Sequence, residues 1–194
     1  NPKLLHETLQ KIKLIVNELK EDKKYKFVVI DSLSSMLPVA KYLGELLYSQ
    51  TTIGKNWFTE GKQKYGDLIN LPMAAGYDYW KKGADKLYEL LESSGKIIVT
   101  IAHLKEKAQQ DRASTIEIDA PSNISKHLSK ESEVIGLVYK AKDNEVMLSF
   151  KNYGSVLCGT VIQELQDKEF VVTRRLEDGT IESHIDELLK YINY

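Results

Sequence analysis

The sequence predicts an α/β protein with a mostly parallel, helix-flanked sheet that is completed by antiparallel strands on its C-terminal side. Two short, continuously apolar runs predict buried parallel strands, because such strands carry apolar side chains on both faces. Helical segments precede both runs, and the alternation of helix and strand is typical of an open parallel sheet. Two later strand-like segments flank Lys142-Asp143-Asn144, a turn sequence that predicts an antiparallel hairpin.

The size and charge of the chain limit its class. With 194 residues, of which 42% are apolar, residues 1–194 are expected to form a single domain. The 27 Lys and Arg and 28 Asp and Glu residues give a net charge of −1, so any nucleic-acid contact must come from local cationic patches. No apolar run reaches the length of a membrane span, which predicts a protein without membrane contact.

The single cysteine, Cys158, excludes an internal disulfide and a cysteine-built zinc site. It fits a reducing compartment and therefore predicts a cytoplasmic protein. The opening residues Asn1-Pro2-Lys3 resemble neither a signal peptide nor an initiating methionine. We therefore expect the sequence to be part of a longer chain.

In the first half, apolar residues at helical spacing predict helices and continuous apolar runs predict strands. A stretch of Gly and Lys residues at 51–70 joins two of the helices and suggests a functional excursion. The predicted elements are helix 2–21, strand 25–30, helices 39–49 and 74–91, and strand 96–102.

In the second half, residues 105–125 are polar and predict a mobile loop. The acids Glu117 and Asp119 fall in this loop without a matching histidine, so we give them little weight for catalysis. The remaining predicted elements are helix 124–131, the hairpin strands 134–139 and 145–150, strand 169–174, a turn at 177–179 and a closing helix over 181–192.

The first apolar strand ends in Asp31, and Ser32 follows it. In P-loop NTPases, an aspartate at this position orders water around Mg²⁺ at the edge of the sheet where the nucleotide binds. Asp31 is therefore predicted to hold Mg²⁺ through water, and Ser32 is predicted to support it. The alternative is that Asp31 only caps the segment that follows the strand.

The second apolar strand ends at His103. If the two strands are neighbours, His103 lies beside Asp31 and can sense the γ-phosphate of a bound nucleotide. The alternative is a histidine that merely terminates a strand.

Three segments together, residues 27–33, residues 97–103 and the hairpin within residues 132–151, resemble phage-encoded RecA-like P-loop ATPases, a group that includes single-strand annealing recombinases. The resemblance covers about residues 5–160 and lies in the order of the motifs. It implies a RecA-like core with ATP and Mg²⁺ as cofactors, a Walker B role for Asp31 and a sensor role for His103. It also implies ATP-dependent recombination or annealing of single-stranded DNA by a ring or filament of identical subunits in the host cytoplasm.

One motif of this family does not occur in the sequence. The phosphate-binding loop G-x-x-x-x-G-K-[ST] is absent, and Gly54-Lys55-Asn56 lacks both the earlier glycine and the final hydroxyl residue. The loop would precede Asn1, so ATPase activity depends on whether an upstream segment supplies it. The alternative function is a non-catalytic assembly or DNA-binding protein that retains a RecA-like scaffold.

Cations interleaved with aromatic residues predict single-strand contacts, because aromatic faces stack on bases while lysines follow phosphates. The alternative is that Trp57, Phe58, Tyr79 and Trp80 pack the excursion onto the core. Six residues are predicted to contact DNA: Lys55, Trp57, Lys62, Lys105, Lys107 and Arg112.

A third cationic group, Lys126, His127 and Lys130, precedes the antiparallel hairpin. Lys126 is a catalytic candidate, since a cation sent into the phosphate site of a neighbouring subunit would neutralise transition-state charge. The alternative is an ordinary solvated helix face.

Overall fold

The structure is a computed structural model that describes residues 2–59, 68–71, 75–109, 112–141, 144–152 and 158–191. The chain divides into two compact units. Unit 1 comprises Asn1–Leu104 and Ile118–Lys126, and unit 2 comprises Lys105–Glu117 and His127–Tyr194. The expectation of one domain over the whole chain stays a prediction.

Unit 1 contains the helices predicted for the first half of the chain. The excursion at 51–70 carries a further helix and ends in a short 3₁₀ turn, Leu68–Asn70. The helices are α1 Pro2–Glu21, α2 Leu33–Ser49, α3 Thr52–Thr59 and α4 Ala75–Glu92.

The core of unit 1 is formed mainly between α2 and α4, and α1 packs beside them. Gly44 of α2 and Gly83 of α4 allow the two backbones to approach closely, because a Cβ atom at either position would clash with carbonyl oxygens of the other helix. The side chains buried around this contact are apolar, which stabilises the pair. They include Leu33, Val39, Ala84, Leu87 and Leu91, with Leu9 and Val16 from α1.

The two predicted apolar strands form a parallel pair. Strand β1 is Phe27–Asp31 and strand β2 is Ile97–Ile101. Their register runs from Phe27 opposite Ile97 to Asp31 opposite Ile101. Among the described residues the parallel sheet consists of these two strands, and the antiparallel strands form separate sheets. The prediction of one mostly parallel sheet that antiparallel strands complete is therefore wrong for this part of the chain.

One face of this parallel pair is uncovered, although the sequence predicted burial on both faces. Tyr88 of α4 and Thr100 of β2 share a hydrogen bond of 3.0 Å, which places α4 against the other face. On the uncovered face, Val29 is 59% exposed and Ile101 is 45% exposed. The exposed apolar residues of the two strands are Phe27, Val29, Ile97, Val99 and Ile101.

The predicted loop over residues 105–125 is wrong for most of its length. Strands β3, Leu104–Gln109, and β4, Arg112–Ile118, pair in a two-stranded sheet, and helix α5, Ser122–Glu131, follows. The β-branched residues Thr115, Ile116 and Ile118 favour the extended conformation.

The antiparallel part of the fold confirms the predicted hairpin. The strands and closing helix of this part are β5 Val134–Ile135, β6 Leu137–Lys140, β7 Glu145–Ser149, β8 Gly159–Thr160, β9 Glu169–Arg175, β10 Ile181–Ser183 and α6 Ile185–Leu189. A four-stranded sheet has the order β10-β9-β7-β6 and packs on a core of Phe150, Leu165, Phe170 and Leu188. A separate two-stranded antiparallel pair joins β5 to β8.

The closing helix is shorter than predicted, because residues 181–183 form strand β10 and not its first turn. Gly179 adopts a φ of 86°, which glycine reaches without a steric penalty. Leu176 N–H donates to the carbonyl of Thr180 at 2.8 Å, so the chain reverses there and Ile181 pairs with Arg175.

Candidate functional site

Asp31 is the last residue of β1 and is exposed. Among the described residues, no hydrogen bond or ion pair occupies its carboxylate. The peptide bond between Asp31 and Ser32 is cis. Because no described contact occupies it, the Asp31 carboxylate is available to bind a hydrated cation, as magnesium in nucleotide sites requires.

Ser32 occupies the N-cap position of α2 with an extended backbone, φ −131° and ψ 172°. Its carbonyl accepts a hydrogen bond from Ser35 N–H at 2.9 Å. Its hydroxyl makes no capping hydrogen bond to the helix. An N-cap serine normally uses its oxygen in that way, so the Ser32 hydroxyl remains available beside Asp31.

His103 follows the carboxyl end of β2 by two residues and is exposed. Because β1 and β2 are parallel neighbours with Asp31 opposite Ile101, the predicted arrangement of the two strand ends is confirmed. The sensor role of His103 stays a prediction. Its backbone carbonyl accepts a hydrogen bond from Asp119 N–H at 2.8 Å.

Two residues of this region were not identified from the sequence. Tyr88 backs β2 through its hydrogen bond to Thr100, whose register partner is Ile30 beside Asp31. Burial raises the pKa of the Tyr88 phenol, although the bond to Thr100 opposes that shift. The helical spacing of Tyr88 from the buried Ala84 and Leu91 was the available signal.

Asp119 is the second residue that sequence reasoning missed. The sequence predicts it in a loop without a histidine partner, but its backbone lies against that of His103. Residue types carry no signal for a backbone hydrogen bond of this kind, because every residue other than proline has the same amide donor.

Lys126 is exposed on α5 and belongs to unit 1, as do Asp31 and His103. The distance between Lys130 Nζ and Glu131 Oε1 is 3.8 Å, and the two side chains are 83% and 59% exposed. An ion pair so exposed contributes little free energy, which agrees with a solvated helix face. The catalytic role of Lys126 stays a prediction.

Three of the four aromatic residues considered for base stacking pack as the alternative interpretation expected. Trp57, Tyr79 and Trp80 contact the buried cluster of Tyr48, Leu68 and Leu71. Trp80 Nε1 also donates to the carbonyl of Leu37 at 3.1 Å. The side chain of Phe58 lies outside the described residues. These contacts give Trp57 a structural role, and its role in DNA binding stays a prediction.

The cationic DNA candidates are spread over both units. Lys55 is exposed on α3, Lys105 is half-buried on β3, and Lys62 lies outside the described residues. Lys107 and Arg112 belong by their backbones to β3 and β4, while their side chains lie outside the description.

The donor set fits a metal held largely by water. In the described ranges, no three His, Cys, Asp or Glu side chains gather into a metal-binding group. Magnesium in nucleotide sites usually keeps several waters and takes one or two carboxylates plus phosphate oxygens. Asp31 with the Ser32 hydroxyl fits that requirement.

Residues 3–158 match the family model described as an AAA domain. This match extends over α1, both parallel strands, α5 and the β6–β7 hairpin. The chain belongs to the AAA domain family. AAA-type P-loop ATPase domains generally bind nucleotide with Mg²⁺. The predicted resemblance to P-loop ATPases is therefore confirmed, and membership of the RecA-like group stays a prediction.

No curated protein and no solved structure matches the chain significantly. The mixed α/β fold fits a P-loop NTPase. Over the described ranges, no helix has the length and apolar character needed to span a bilayer.

Proposed function

We propose that this AAA domain chain is part of a RecA-like, Mg²⁺-dependent ATPase that acts in DNA recombination or single-strand annealing. The proposal rests on the position of Asp31. Its carboxylate is exposed at the end of a parallel strand, and the neighbouring strand leads to His103. Ligands of open α/β sheets bind at the carboxyl ends of the strands.

Asp31, Ser32, His103 and Lys126 each have a distinct role in this proposal. Asp31 binds water molecules of the Mg²⁺ shell, and the Ser32 hydroxyl supports them. His103 donates or accepts a hydrogen bond at the terminal phosphate. Lys126 neutralises phosphate charge in an adjacent subunit of a homo-oligomer. When bound, the metal offsets the negative charge that develops on the phosphates.

The phosphate-binding loop is proposed to lie upstream of Asn1. The uncovered apolar face of β1 and β2 supports this proposal, since apolar strands of P-loop sheets are covered on both faces. A strand and helix carrying G-x-x-x-x-G-K-[ST] would bury Phe27, Val29 and Val99.

Single-stranded DNA is the proposed second ligand. A net charge of −1 leaves the affinity to local cations. Lys55 and Lys62 of the excursion and Lys105, Lys107 and Arg112 of the β3–β4 pair would follow phosphates. The phage origin and the host cytoplasm belong to the same proposal.

A second function is favoured by one specific observation. The 194 residues contain no G-x-x-x-x-G-K-[ST] sequence. If no upstream segment supplies this loop, the protein would be a non-catalytic assembly or DNA-binding protein with a RecA-like scaffold.

Nucleotide binding by the intact protein separates the two functions. We expect a fluorescent ATP analogue to bind in the presence of Mg²⁺ and to be released by EDTA. In this assay Glu92→Gln is the matched control for Asp31→Asn, because Glu92 is an exposed acid at the C-terminal end of α4. Binding that is absent with and without Mg²⁺ would support the non-catalytic protein.

A further inference from the structure

The amide of Asp119 donates a hydrogen bond to the carbonyl oxygen of His103, with an N···O distance of 2.8 Å. His103 directly precedes β3, and Asp119 directly follows β4. The bond therefore joins the short link between β2 and β3 to the segment that returns after β4. Both residues belong to unit 1.

The returning segment is itself fixed within unit 1. Ala120 is 4% exposed and Ile124 is 1% exposed, so both are held in the core. Asn123 Nδ2 donates to the carbonyl of Tyr77 at 2.8 Å, which attaches the start of α5 to α4. The Asp119 amide is consequently a donor in a constrained position, whereas His103 is exposed.

We propose that Asp119 is a positioning residue that acts through His103. Its amide holds the His103 carbonyl and so restricts the backbone from which the imidazole extends. The inference rests on the proposed function, in which His103 contacts the terminal phosphate of a nucleoside triphosphate. Displacement of a contacting group by about 1 Å can lower a rate about a hundredfold.

The local geometry allows the amide to be removed without changing the turn. Ala120 N–H donates to the carbonyl of Ile118 at 2.8 Å, which is a γ-turn centred on Asp119. An inverse γ-turn places its central residue at a φ of about −75°, and Asp119 is not among the residues with positive φ. Proline fixes φ near about −65° and has no N–H. The preceding Ile118 is in an extended strand, as a residue before proline prefers.

Asp119→Pro therefore removes the donor, and Asp119→Ala is its matched control because it keeps the donor and loses only the carboxylate. In the intact protein, we expect Asp119→Pro to lower kcat for MgATP hydrolysis about ten- to a hundredfold, with KM within about twofold. Asp119→Ala should retain a higher kcat than Asp119→Pro, because it keeps the amide donor.

A double-mutant cycle distinguishes an effect that acts through His103 from a general effect on the structure. If Asp119 acts through His103, Asp119→Pro should have no further effect on kcat in a His103→Ala background. The same loss in both backgrounds would overturn the inference. Equal kcat values for Asp119→Pro and Asp119→Ala would overturn it as well.

Two further measurements keep the outcomes distinct. If the proline variant does not fold, as judged by circular dichroism, an amide-to-ester replacement at position 119 removes the N–H without constraining φ and must give the same loss of kcat. A wild-type protein that neither binds nor hydrolyses MgATP would refute the proposed function together with this inference. If the wild type hydrolyses MgATP but Asp119→Pro lowers kcat equally in the wild-type and His103→Ala backgrounds, only the inference is refuted.

Discussion

Asp31 lies directly opposite Ile101 in the register of the parallel strands β1 and β2, and both strands end at this pair. The pair therefore marks one edge of the sheet, where the Asp31 carboxylate is exposed and β2 continues towards His103. Because the carboxylate serves no described contact within the fold, its charge can be removed with little structural consequence.

Asp31→Asn is expected to lower Mg²⁺-dependent ATP turnover of the intact protein by about two orders of magnitude or more, because the amide loses the charge that holds the hydrated metal. The free energy of unfolding should change by less than about 0.5 kcal/mol, as for other exposed sites. Turnover is measured by phosphate release, and folding by circular dichroism. An unchanged rate in a folded variant would remove Asp31 from the site.

The uncovered face of β1 and β2 gives a prediction about the upstream segment. If that segment covers the face, Val29→Asp in the intact protein buries an unpaired charge and should lower the free energy of unfolding by about 3 kcal/mol or more. For a domain of this size, such a loss corresponds to a fall in Tm of about 6–12 °C.

Val138→Asp is the matched control for Val29→Asp. Both valines lie in strands, and their exposures are similar, 63% for Val138 and 59% for Val29. Thermal unfolding of both variants measures the difference. Similar small shifts in Tm would mean that the Val29 face stays exposed in the intact protein.

The parts of the fold that could be predicted are those in which burial determines residue type. Strands β1 and β2 are continuous apolar runs, and their neighbouring ends followed from the rule that polar residues after parallel strands meet at one edge. The β3–β4 pair could not be predicted in the same way. Its segments are largely polar and show no sustained apolar alternation, so the sequence offered no period to detect.

The candidate site likewise contains residues that the sequence reveals and residues that it does not. Asp31 and His103 could be found because each directly follows the end of an apolar run. Asp119 could not, because its contact with His103 is a backbone hydrogen bond that leaves no trace in the side-chain pattern. The packing of Trp57 was one of two open interpretations, since the same aromatic residue suits a core and a base platform.

Trp57→Ala separates those two interpretations. Because Trp57 is half-buried against Tyr48, Leu68 and Leu71, its truncation should lower the free energy of unfolding by about 2 kcal/mol, less than for a fully buried tryptophan. If Trp57 only packs against this cluster, single-strand affinity should change by less than about twofold. A base platform would instead lose about 1–3 kcal/mol of binding free energy while Tm stayed constant. Thermal unfolding and fluorescence anisotropy with a labelled oligonucleotide measure the two quantities.

The last prediction concerns the cations of β3. Lys105 and Lys107 are two residues apart in the sequence of strand β3, and we expect both to follow one DNA backbone. Each phosphate contact to a single strand contributes about 0.7 unit to the slope of log affinity against log salt. Replacing both lysines by Ala should therefore weaken binding of the intact protein and flatten that slope by about 1.4 units. Lys11 and Lys13 of α1 are spaced equally and exposed, so their double Ala variant is the charge-matched control, with a slope that should not change. Oligonucleotide titrations over a range of salt concentrations measure both slopes, and equal slopes for the two double variants would exclude β3 from the DNA interface.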